Sequence, residues 1–220
     1  MIPNKLSNPK SRRPINNFLA GIFVVSLVVG CATTPKRYDQ VKEGQWKTKV
    51  LVKDRVNNKQ HIVNLDVNAV KRQKLRLDAT TPAGMHLASL TLSGKKVEYI
   101  LPREKKFYKG NSSAGSMKAL VSVPIEPELI HNIIFDLPIS NKEWSCTKDA
   151  KGYLAECTRD KDGLNITWLD RKETSKLVKV DHKKAQLQMN FVQFEPKLRK
   201  SNKNLFSLRA PKGYKVLRAR

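Results

Sequence analysis

Short runs in which apolar and polar residues alternate restrict this chain more than any other feature. In "WKTKVLVKDRV", beginning at Trp46, residues Trp46, Thr48, Val50 and Val52 fall on one face while Lys47, Lys49 and Lys53 take the other. In "HIVNLDVNAV", Val63, Leu65, Val67 and Ala69 repeat the pattern. "KLRLDATT", "MHLASLTLSG" and "KVEYILP" follow, separated by turn-forming Asn, Gly and Pro. A period of two is that of a half-buried strand, and such runs joined by short turns read as antiparallel strands with one apolar face.

Between about Ala114 and Leu137 the period changes. Leu129, Ile130, Ile133, Ile134 and Leu137 recur at helical spacing, Pro127 suits a first helical turn, and Pro138 closes the segment. A shorter helix is expected at Met117 to Val121. Strands resume in "EWSCTK", "YLAECTR", "LNITWLD", "SKLVKVDH" and "AQLQMNFVQF", with a last pair at "LFSLRA" and "YKVLR". This order predicts a mainly β (α+β) domain. Its sheet of roughly ten antiparallel strands curls, as sheets of that width do, and the helical insert covers the apolar face.

Ahead of the strands, Lys5, Lys10, Arg12 and Arg13 precede "NFLAGIFVVSLVVG", an apolar stretch too short for a membrane-spanning helix, which needs about 20 residues. The run stops at Gly30, meets Cys31 and gives way to small polar residues. A basic head, a short apolar middle and small residues at the boundary form an export signal. Val28-Val29-Gly30-Cys31 resembles the lipobox of bacterial lipoproteins, with Val28 where Leu is commoner. The resemblance implies cleavage before Cys31 and acylation of its sulfur. The expected organisation is a signal peptide over 1–30, a polar tether over 31–45 starting at the lipidated cysteine, and one domain over 46–220.

Net charge is +24, and the leader holds only four of the cations, so the domain itself is strongly basic. Such a field favours anionic partners: lipid headgroups, acidic cell-wall polymers or nucleic acid. Export sets nucleic acid aside. The lysines also fit the plain solvated faces of strands. Two cysteines remain, in "WSCTKDAKGYLAECTR". If the chain turns at Lys151-Gly152 so that residue 150 faces 153, residue 146 faces 157, at a Cα separation a disulfide can bridge. An exported compartment permits the bond, so Cys146 and Cys157 are expected to pair, with two free buried thiols as the alternative.

The stretch "RLDATTPAGMHLASLTLSGKKVEYILPREKKFYKG", followed by "MKALVSVPIEPELIHNIIFDLP", resembles the LolB family of outer-membrane lipoproteins, and more broadly the LolA/LolB superfamily. The shared features are an Arg-Leu strand into a Thr-Pro-x-Gly turn, a glycine turn into a valine strand, an aromatic before the helices, and a Val-Pro-Ile step into a helix ending Leu-Pro. The resemblance implies a half-open β-barrel lidded by helices, with an apolar cavity for acyl chains. Val50, Val52, Leu65, Val67, Leu77, Leu87, Leu120, Ile130, Ile133, Ile134, Met189 and Phe191 are the candidates to line it. It further implies an outer-membrane protein anchored on the periplasmic face, which takes lipoproteins from a periplasmic carrier of the LolA type and works as a monomer without a cofactor. Ala32 stands where an aspartate would signal retention in the inner membrane. In the family an exposed leucine in the Pro-x-Gly turn engages the bilayer. Here Pro82, Ala83, Gly84 and Met85 form that turn, with the small Ala83 at the leucine position and Met85 able to serve as the apolar tip or as an inward strand residue.

His61, His86, His131 and His182 sit singly, without metal-ligand spacing, and no nucleophile elbow or phosphate-binding glycine loop occurs. The reading is therefore not enzymatic. Two functions fit it: an acceptor of lipoprotein acyl chains, or a non-catalytic envelope lipoprotein that binds another lipid or anionic cell-wall or lipopolysaccharide groups. Burying each methylene is worth about 0.8 kcal/mol, which makes a concave Val, Leu, Met and Phe surface a credible acyl site. The same surface fits a solid core.

Overall fold

Alternation becomes sheet where it is strongest. A computed structural model describes residues 34–113, 115–117, 119–120, 125–198 and 204–219; the export signal (1–30) and Cys31 lie outside them. Six strands precede the helix: β1 (Glu43–Asp54), β2 (Lys59–Val70), β3 (Lys74–Thr80), β4 (His86–Ser93), β5 (Lys96–Leu101) and β6 (Lys106–Asn111). After helix α1 (Pro127–Phe135) come β7 (Ser145–Lys148), β8 (Leu154–Arg159), β9 (Leu164–Leu169), β10 (Lys176–His182), β11 (Ala185–Glu195) and β12 (Lys215–Ala219). They form one open sheet in the order β12-β6-β5-β4-β3-β2-β1-β11-β10-β9-β8-β7. The domain is thus mainly β with one α-helix among the described residues. Its twelve strands replace the roughly ten of a half-open barrel.

The sheet is curled. One apolar space is lined from Leu101 at the end of β5 across to Val180 on β10. Six strand-to-strand spacings separate these residues in the sheet order, roughly 29 Å if the sheet were flat. Helix α1 lies in the concavity and buries Leu129, Ile130, Ile133, Ile134 and Phe135. Pro127 opens the helix, and Asp136, in the left-handed region at φ 50°, ends it two residues before Pro138.

Several expectations change. "KFYKGN" is a strand, β6, and "LFSLRA" is not: residues 205–210 lie over the outer face of β3 and β5, where Arg76 donates to the Leu205 carbonyl and the Leu208 N–H to Glu98. Strand β12 pairs in parallel with β6, the single parallel step in the sheet. In place of the short helix at Met117 to Val121, the described residues form turns, with Ser116 N–H on the Ser113 carbonyl and Leu120 N–H on Met117. Residues 35–45 are docked rather than a free tether. Tyr38 is 1% exposed, the Tyr153 hydroxyl donates to the Pro35 carbonyl, and β1 begins at Glu43.

Cys146 faces Cys157 in the β7–β8 register, and the two are disulfide-bonded. The hairpin loop holds three residues, not two, because Gly152 at φ 79° follows a turn closed from its own N–H to the Asp149 carbonyl. A bulge between Thr147 and Lys148 restores the register that puts the cysteines opposite each other.

Candidate functional site: an apolar cavity under the helix

The inner face of the sheet has two unlike ends. One carries the β2–β3 turn, the β4–β5 turn and the start of β10. There, the Trp46 ring centroid lies 5.2 Å from that of Phe135 and 5.0 Å from that of Phe194, and Tyr38 meets Phe194 edge-on at 5.1 Å. The other end carries the β1–β2, β3–β4, β5–β6 and β10–β11 turns. There the strands contribute aliphatic side chains that enclose a cavity of about 280 Å³.

The register explains which residues line it. On β1, Val50 and Val52 reach the cavity, whereas Trp46 and Thr48 do not; on β2, Val63 and Leu65 reach it, whereas Val67 and Ala69 do not. Leu77 and Ala79 from β3 and Leu187 and Met189 from β11 complete the floor. A bulge between β3 and β4 leaves Leu87 unpaired beside Ala88, so two consecutive residues both face inward. Ile130 and Ile133 of α1 form the roof, with Met117, Ala119, Leu120 and Ile125 from the segment before it. Val52, Val63, Leu65 and Leu87 are only half-buried, which marks the mouth at the aliphatic end of the sheet.

Of the twelve candidate residues, Val50, Val52, Leu65, Leu77, Leu87, Leu120, Ile130, Ile133 and Met189 are brought together here. Val67, Ile134 and Phe191 are instead fully packed in the solid part of the core. Residues such as Ala79, Leu90, Leu101 and Val180 line the cavity without having been singled out. Their signal was present, since each continues the inward phase of its own strand.

Buried charges pin the roof at both ends. At the C-terminus of α1, Lys176 is 1% exposed and donates to the Ile133 carbonyl at 2.8 Å, the Ile134 carbonyl at 2.7 Å and Asp136 Oδ1 at 2.5 Å. A cation there satisfies the last carbonyls and the negative end of the helix dipole. Burial pushes the Lys176 ammonium down to about 8, against the pull of Asp136. Arg171 holds the other Asp136 oxygen. At the N-terminus, Arg159, 4% exposed, pairs with Glu126 at 3.3 Å and with Asp162 at 2.8 Å. Between them, His131 Nε2 donates to the Val70 carbonyl at 2.9 Å and ties α1 to the β2–β3 turn. Burial lowers the His131 pKa.

The turn of Pro82, Ala83, Gly84 and Met85 lies at the mouth end and is exposed throughout. Gly84 adopts φ 85°, its N–H meets the Thr81 carbonyl, and the Met85 N–H meets Thr81 Oγ1 at 3.0 Å. Met85 is 64% exposed, so it is a solvent-facing tip and not an inward residue.

Asp78, His86 and Ser89 are close enough to raise the question of a hydrolytic triad. Ser89 Oγ lies 2.5 Å from Asp78 Oδ1 and 2.9 Å from His86 Nε2, and Ser89 is 3% exposed. The hydroxyl proton points at the carboxylate, leaving the imidazole to donate, and Arg76 holds the same carboxylate. This order cannot activate the serine, because a triad needs the histidine between the two. Among the described residues no cluster of three or more His, Cys, Asp or Glu is placed to hold a metal ion.

No protein-family model and no curated protein matches the chain. Among solved structures, it is similar to a LolA superfamily protein from Nitrosomonas europaea, at 8% identity over 78% of this chain and 94% of that one, with a TM-score of 0.49. It is also similar to a DUF1329 family protein from Desulfovibrio piger, at 10% identity over 76% and 90% of the two chains, TM-score 0.42. A third similar structure is a putative outer membrane lipoprotein-sorting protein domain from Vibrio parahaemolyticus, at 9% identity over 74% and 91%, TM-score 0.43.

Proposed function

We propose that this protein is a lipid-anchored acceptor of acyl chains on the periplasmic face of the outer membrane. It takes lipoproteins from a periplasmic carrier and passes them to the bilayer. The observation that carries the reading is the cavity: 280 Å³ of aliphatic space, open at one end of the sheet, with an exposed Met85 turn at the same end. An acyl chain entering it exchanges water for Val, Leu, Ile and Met side chains and gains about 0.8 kcal/mol per methylene buried. Transfer from a carrier then needs no nucleotide, provided that the acceptor cavity holds the chain more tightly than the donor does. The Met85 tip, flexible and apolar, serves as the bilayer contact. Cys31, through its acyl group, supplies the anchor.

The test is release of lipoprotein from a loaded carrier of the LolA type. An excess of the protein is expected to strip cargo from the carrier and to deliver it to liposomes. Carrier that keeps all its cargo in the presence of the excess defeats the reading.

A further inference from the structure

We infer that the cavity has a resident ligand between deliveries: a single-chain lipid with an anionic headgroup, its tail in the aliphatic space and its head on Lys59 and His61. The inference rests on the acyl-chain reading above and adds a ligand class to it.

Two observations carry it. The first is size. An apolar cavity of 150 Å³ takes one benzene ring, so 280 Å³ holds roughly a dozen carbon atoms. That is most of one acyl chain and leaves no space for a second. The second is the rim. Along β2 the inward phase runs Ala69, Val67, Leu65, Val63, His61, Lys59, so the face that floors the cavity turns polar and then cationic as it reaches the mouth. His61 is paired in register with Val52, a lining residue, and both His61 and Lys59 are exposed. A chain lying along Val63 and Leu65 would bring its headgroup to these two side chains.

The rim has unspent positive charge. Lys59, Arg103, Lys105, Lys183 and Lys184 stand in or beside the turns of the lining strands, and none makes an ion pair with a described residue. The carboxylates in the same turns are occupied. Asp54, opposite Lys59 in the hairpin register, accepts only from neutral donors, the Val56 and Asn57 N–H groups and Asn57 Nδ2, so it offsets one of these five cations; Glu104 pairs with Lys106, and Asp181 pairs with Arg55. The mouth therefore favours an anion over a zwitterion, and the ammonium of Lys59 with the ring N–H of His61 can both donate to it.

The experiment is native mass spectrometry of the full chain released from detergent, offered an equimolar mixture of 1-palmitoyl-lysophosphatidylglycerol, 1-palmitoyl-lysophosphatidylcholine and dipalmitoylphosphatidylglycerol. One lysophosphatidylglycerol per chain is expected, favoured about threefold to tenfold over lysophosphatidylcholine, as suits one exposed charge contact on Lys59 and one hydrogen bond from His61, and also favoured over the two-chain lipid. The double variant Lys59→Gln, His61→Gln lies in an exposed hairpin and is expected to keep the chain binding while losing the headgroup preference. Equal occupancy by the two lysolipids, a preference unchanged in the variant, or equal binding of the two-chain lipid overturns the inference and leaves the acyl-chain reading standing. No lipid bound at all overturns both.

Discussion

Trp46 and Val52 lie six residues apart on the same face of β1, yet one is sealed in a solid core and the other borders a cavity. The aromatic end fills its volume with large rings that interlock from β1, β11, α1 and the docked segment around Tyr38. At the aliphatic end, strands of the same sheet supply Val, Leu and Ala, whose volumes do not span the gap between sheet and helix. Close-packed cores tolerate few voids larger than a water molecule. A domain that keeps one of 280 Å³ beside a fully packed region has divided its interior into a packed part and a hollow part. The pins on α1 fit this division, because they hold the roof in place with charges and spare the cavity from having to do so with packing.

The comparison breaks most visibly at the pins. Asp136→Ala leaves Lys176 and Arg171 buried without their shared carboxylate and is expected to cost about 3–5 kcal/mol in urea unfolding. A loss below about 1 kcal/mol would mean that the C-terminus of α1 is held by packing alone. Next comes the pair of truncations on β1. Trp46→Ala should cost about 3–5 kcal/mol, and Val52→Ala, at a half-buried site beside existing empty space, no more than about 1 kcal/mol. Equal losses would contradict the division into two regions.

Filling the cavity should reverse the sign. Ala79→Leu places a larger side chain in empty aliphatic space and is expected to raise stability by about 0.5–1 kcal/mol while lowering palmitate binding at least tenfold. A stabilised variant with undiminished binding would place the acyl site elsewhere.

The smallest effect is on pH dependence. The His131 pKa is lowered by burial, so the folded state takes up this proton less readily than the unfolded chain, whose histidine titrates near 6.5. The stability it contributes is complete above that value and is lost as pH falls from 6.5 through the lowered folded value. The urea midpoint should therefore drop below pH 6.5, and drop less steeply in His131→Gln. Identical pH slopes in the two proteins would remove His131 from the account.

Much of the inward-facing surface was legible in the alternation itself. Of the nine candidate residues that line the cavity, Val50, Val52 and Leu65 follow from the inward phase of β1 and β2, Ile130 and Ile133 from the helical spacing of α1, and the rest from β3, β4, β11 and the segment before the helix. Their periodicity cannot separate cavity from core, because Val67 and Leu65 share one face and differ only in distance from the sheet end. Strand β6 escaped because Lys106, Tyr108 and Gly110 blur its pattern. Gly110 is needed there for close approach, since a Cβ would sit 2.5 Å from the Ala219 carbonyl of β12. "LFSLRA" misled in the opposite sense: it alternates, but its backbone is held by Arg76 and Glu98 side chains. Lys176 was hidden by its partners, which come from a helix end some 40 residues earlier in the chain. The cysteine pairing could be read because an eleven-residue separation around a glycine turn is a local matter.

The central claim is that acyl chains occupy the aliphatic end, and photocrosslinking tests it most directly. Palmitate carrying a diazirine at its terminal carbon, irradiated with the full chain and mapped by peptide mass spectrometry, should label cavity residues such as Leu77, Leu90, Ile133 and Met189. Label confined to the outer face, at Leu51, Ile62 or Leu177, or no label that excess palmitate competes away, would contradict the account.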